Sequence, residues 1–135
     1  MAPTEALARR LGVGLLGCAL LIGCSGGGGA DDEVTAAWAF EPGPPATGVD
    51  TNARITLHDA DGQPLRGADL RLEGHMSHPG MAPVIADVIE RGAGVYEARM
   101  QFSMAGDWVL MLTGELADGR RIAKQLEIAG VQPAP

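Results

Sequence analysis

Val95-Tyr96-Glu97-Ala98-Arg99-Met100-Gln101-Phe102 reads as a β-strand with one apolar and one polar face. Tyr96, Ala98, Met100 and Phe102 fall on one side, and Glu97, Arg99 and Gln101 on the other. That is the two-residue period of a pleated chain with one face in a core. A helix has an apolar stripe that recurs every three to four positions, and this stretch does not. Arg91-Gly92-Ala93-Gly94 before it and Ala105-Gly106 after it are turn signals.

The same pattern continues in both directions. Upstream, Thr35–Phe40, Ala53–His58, Leu70–Glu73 and Val84–Glu90 read as strands, and downstream Trp108–Leu116 and Arg121–Ile128 do too. Turn residues separate them: Glu41-Pro42-Gly43-Pro44-Pro45, Asp59-Ala60-Asp61-Gly62-Gln63-Pro64 and the hairpin signal Asp118-Gly119. Trp108–Leu116 is apolar on both faces, which predicts a central strand and places Met111, like Met100, in the core. From Val34 on, no ten-residue stretch keeps a helical period. The expectation is an all-β domain over 34–130, an immunoglobulin-like antiparallel β-sandwich of about seven strands, with 131–135 as a tail.

The front of the chain reads differently. Arg9 and Arg10 precede an apolar run, Leu11 to Ile22, that is short for a membrane span and ends in Leu21-Ile22-Gly23-Cys24. This is the form of a bacterial lipoprotein signal. It predicts that 1–23 is removed and that lipid on Cys24 anchors the chain to a membrane. Residues 24–33, with Gly26 to Gly29 followed by Asp31, Asp32 and Glu33, then form a flexible tether. The expected location is the cell envelope. With Ser25 rather than aspartate after Cys24, it is the periplasmic face of the outer membrane in a Gram-negative cell.

Cleavage removes Cys18 and lipid consumes Cys24, so neither a disulfide nor a thiolate site is expected. Loss of Glu5, Arg9 and Arg10 from 10 basic and 17 acidic residues leaves 8 against 16, a net charge near −8. Such a domain is repelled by nucleic acid, so none is expected as a partner.

The candidate chemistry is concentrated in Gly74-His75-Met76-Ser77-His78-Pro79-Gly80-Met81-Ala82-Pro83. Thioether sulfur and imidazole nitrogen are the soft ligands that suit copper, above all Cu(I). Continuing the alternation of Leu70 and Leu72 puts Gly74 and Met76 on the core side and His75 on the solvent side. Pro79-Gly80 then folds the chain, so Met76, His78 and Met81 can converge. Met104, just before the turn at Ala105-Gly106, is a fourth candidate from another strand, and His75 is a helper at most. No enzyme is expected. Ser77 beside His78 has no acid placed to orient it, and Gly26–Gly29 lacks the strand and the Lys-Ser/Thr of a phosphate loop.

These residues carry a resemblance. Gly74, Met76, His78, Gly80, Met81 and Pro83, then Gly94 and Tyr96, then Phe102, Met104, Gly106 and Trp108 resemble the YtkA-like pattern G-x-M-x-H-x-G-M-x-P, G-x-Y and F-x-M-x-G-x-W. YtkA-like domains are similar to FixH-like proteins, which are associated with assembly of copper-containing oxidases. The resemblance runs from about Ala53 to Ile128. It implies an immunoglobulin-like fold and copper as the bound metal, with an envelope protein as partner in copper delivery. His75 is outside the pattern, and the chain departs from FixH-like proteins in carrying lipid in place of a transmembrane helix. The alternative is a metal-free sandwich that binds an envelope protein through its Met/His loop, since methionine-rich surfaces adapt to many partners.

Overall fold

The computed structural model describes residues 33–135. Cys24, the signal-peptide reading and the tether up to Asp32 lie outside the described residues.

Seven strands follow one another: β1 (Thr35–Glu41), β2 (Asp50–His58), β3 (Asp69–Met76), β4 (Val84–Gly92), β5 (Val95–Gln101), β6 (Gly106–Glu115) and β7 (Arg121–Val131). They pair antiparallel in the order β1-β2-β5-β4-β3-β6-β7. β4 divides its partners. Val84–Asp87 pair with β3, and Val88–Gly92 pair with β5. One layer is therefore β1-β2-β5 with the second half of β4, and the other is β3-β6-β7 with the first half. This matches the ABED and CFG layers of the immunoglobulin sandwich.

The core follows the alternation. Ala53, Ile55 and Leu57 of β2 and Tyr96, Ala98 and Met100 of β5 face Leu70 and Leu72 of β3 and Trp108, Leu110 and Leu112 of β6, and all are buried. Phe102 and Trp108 meet edge to face at 5.2 Å and 86°, the geometry that the ring quadrupoles favour. Met111 corrects the sequence expectation. It alternates with buried Leu110 and Leu112, so it sits half-buried on the outer face, opposite Glu73 and Gln125. The apolar outer residues of β6 reflect its place between β3 and β7 rather than burial on both sides.

The lower end of the sandwich holds the β2–β3 connection tightly. Tyr96 Oη donates to Leu65 O at 2.7 Å and accepts from Ala68 N at 3.1 Å. Burial pushes its phenol above the usual tyrosine range, which keeps the proton on the donor. Gly94, at φ 70°, accepts from Leu57 N. A Cβ there would lie 2.8 Å from Leu57 O and 2.9 Å from Pro64 Cβ, so only glycine fits. Asp59 caps its own turn, its carboxylate accepting from Asp61 N and Gln63 N. At the upper end β7 continues to Val131, which is buried, and Thr47 N donates to Gln132 O, so the segment read as tail starts out fastened.

Candidate functional site

Register brings the two candidate segments to the same end. Met76, the last residue of β3, pairs with Trp108 near the start of β6, and Ser77 N donates to Asp107 O at 3.1 Å. The loop Ser77–Pro83 and the β5–β6 connection holding Met104 therefore both lie at the upper end.

Each candidate has a distinct setting. Met76 continues the inward alternation and is half-buried. A Cβ on Gly106 would lie 3.0 Å from the Met76 Cε methyl, so this glycine leaves room for the thioether. Met104 is held by its backbone: Trp108 Nε1–H donates to Met104 O at 3.0 Å. The indole is itself buried against Phe102. Met104 is 46% exposed, so the core fixes its main chain while the residue stays open to solvent. Met81 is 42% exposed and His78 is exposed, both on a loop that turns at Gly80 with φ 86°. Past Ser77, no hydrogen bond among the described residues reaches 78–83.

His75 is placed elsewhere. It lies on the outer face of β3, where its Nε2 is 3.1 Å from Glu73 Oε2, and the other Glu73 oxygen takes Arg71 Nε at 2.9 Å. It extends a surface row of Arg71, Glu73 and His75, on the opposite side of the strand from Met76. Among the described residues, no three His, Cys, Asp or Glu side chains gather as a metal site. The candidates at this end are thioethers and His78, a soft ligand set.

The residues Gly74, Gly94, Tyr96, Phe102, Gly106 and Trp108 each have a packing role. Gly74 is the tightest case in the upper half, since a Cβ there would lie 3.0 Å from Met100 Cε and 3.3 Å from Leu110 Cδ2. His78, Met81 and Met104 have no such role, because exposed side chains contribute little to the core. The positioning of Met104 by the Trp108 indole was not anticipated from sequence. Its only signal is the four-residue spacing of the two, which means nothing until the turn at Ala105-Gly106 is seen.

Solved structures align with the chain. The crystal structure of the Lin-41 filamin domain superposes with a TM-score of 0.50 at 18% identity, covering 73% of this chain and 92% of that one. The ZirS C-terminal domain gives a TM-score of 0.45 at 11% identity, covering 99% of this chain and 88% of that one. The first shows the sandwich and nothing of function. No curated protein sequence matches the chain. The YtkA-like family matches residues 30–113, from ahead of β1 into β6 and through every candidate ligand, and with more than half of its length matched the chain belongs to that family.

Proposed function

We propose that the protein holds or hands over copper as Cu(I), through Met76, His78, Met81 and Met104, while anchored in the cell envelope by lipid on Cys24. The observation that carries this reading is that two separate methionine-bearing segments lie at one end of the sandwich, with Met76 half-buried and Met81 and Met104 exposed. Thioethers and a neutral imidazole stabilise Cu(I), and without a thiolate the set suits holding the ion more than cycling it. Family membership supports the same reading, through the resemblance to FixH-like proteins.

Among the described residues the buried core runs from Val34 to Val131, so residues 25–135 carry all of it for the test. Cu(I) is titrated into this unit against a competing chelator. At least tenfold tighter binding than the triple variant Met76→Ala, His78→Ala, Met81→Ala is expected. Equal affinities would sink the proposal.

One observation favours a second reading, a metal-free interaction module. Met81 and Met104 are exposed together with Ile85 and Ile89, more apolar surface than a copper site requires. A partner that stays bound after chelation would support it, and one released by chelation would count against it.

A further inference from the structure

The division of β4 opens a cleft. Its ladder with β5 ends at Val88↔Ala98. Above that pair β4 crosses to β3, and Arg99, Met100 and Gln101 of β5 pair with β2 alone. At this end the two strands belong to different layers, and packed layers lie roughly 10 Å apart, about twice the spacing of neighbouring strands. The gap faces the upper end, since Val84 follows the Ser77–Pro83 loop and Gln101 leads to Met104. Ile85 and Asp87 line it from β4 and Arg99 from β5, and the paired Ile89 and Glu97 form its foot.

Two features say what fits there. First, a strand edge left unpaired on one side offers backbone donors and acceptors to another extended chain. Second, the large hydrophobic side chains exposed in the described residues are Met81, Ile85, Ile89 and Met104. Two stand at the mouth of the gap, and two lie on its β4 side, Ile85 in the wall and Ile89 at the foot, at a four-residue spacing that same-face side chains of an added strand would meet. Arg99 and Asp87 are exposed and have no ion-pair partner among the described residues, so the walls also carry one charge of each sign.

We infer that this cleft receives a short extended segment of a partner protein, added to the free side of β5 at Arg99–Gln101, with apolar residues at alternate positions packed on Ile85 and Ile89. The seated segment ends beside Met81 and Met104, where its own side chains can reach metal held there. The docking itself rests on the strand pairing, and only this last consequence rests on the copper reading.

The probe is a displayed library of random twelve-residue peptides, selected on residues 25–135. Enriched peptides are expected to carry alternating apolar residues, to bind Ile85→Lys and Ile89→Lys at least tenfold more weakly, and to slow amide exchange at 99–101. Both substitutions are at exposed positions, and unchanged thermal unfolding shows that the variants fold. Failure to enrich peptides, or peptides that protect the β1 or β7 edge instead, would overturn the inference. So would protection of 99–101 by a second copy, seen as a dimer in sedimentation without peptide. Because Cu(I) affinity is measured separately, loss of docking with copper binding intact, or the reverse, shows which of the two readings fails.

Discussion

The β2–β3 connection at the lower end and the β3–β4 connection at the upper end begin or end on the same strand, yet they are held in opposite ways. Below, Leu57, Leu65, Gly67 and Ala68 are fastened through Gly94, Tyr96 and Glu90, and the turn is capped by Asp59. Above, Ser77 is bonded to Asp107 and residues 78–83 have no hydrogen bond among the described residues. The lower loop is part of the fold. The upper one is carried by it, which is where binding groups are found on rigid scaffolds. A loop whose side chains hold nothing in place is free to hold something else.

The contrast can be broken most severely at Gly94. Gly94→Ala forces a side chain into backbone at a positive φ and is expected to cost about 3 kcal/mol, measured as a lowered urea midpoint with unchanged slope. A loss under about 1 kcal/mol would show that the lower connection yields easily. Tyr96→Phe comes next. It strands Leu65 O and Ala68 N, with an expected cost of about 1.5 kcal/mol and faster amide exchange at 65–68.

At the other end the effect on folding should almost vanish. His78→Ala and Met81→Ala are expected to change stability by less than about 0.5 kcal/mol each while weakening Cu(I) binding. A large stability loss would mean that the upper loop is structural after all.

The smallest effect concerns pH. The Arg54 guanidinium, by hydrogen bond, holds the Glu97 carboxyl below the usual glutamate range, with Asn52 and Arg91 helping against a counteracting effect of burial. A lowered folded pKa means stability that is present above the ordinary glutamate value and lost as pH falls through the depressed one. Urea midpoints of Glu97→Gln should therefore differ from the parent at neutral pH and converge with it as pH falls through the depressed Glu97 value. Parallel curves at all pH values would remove Glu97 from the acid response.

Much of this was legible in the chain. Short apolar runs between turn signals located all seven strands, and in β2, β3 and β5 alternation also showed the buried face, because a half-buried strand writes its period directly into side-chain polarity. Boundaries were less legible: β3 runs on through His75 and Met76, β6 begins at Gly106 and β7 reaches Val131. Glycines hide strand ends, since Gly74 and Gly106 look like turns but are places where Met100 and Met76 come close. Met111 misled because an apolar residue on a central strand looks the same whether it faces in or out. The nearness of Met104 to the Met76 end is a property of the β3–β6 register, which no local pattern encodes. The division of β4 between layers is likewise a tertiary event, and Val84–Glu90 reads as one continuous strand whose exposed Ile85 and Ile89 mask its alternation.

Glu33, the first described residue, has its carboxylate 2.7 Å from Arg120 Nη1 at the β6–β7 turn, so the chain enters the sandwich at the lower end. Strands of seven to eleven residues make the domain about 30 Å tall. On the proposed lipid anchor the methionines stand at the tip farthest from the membrane, about 30 Å beyond the point where the chain enters the sandwich. A recipient buried in the same membrane leaflet would be out of reach, and one that projects its own domain to that height would meet the sulfurs first.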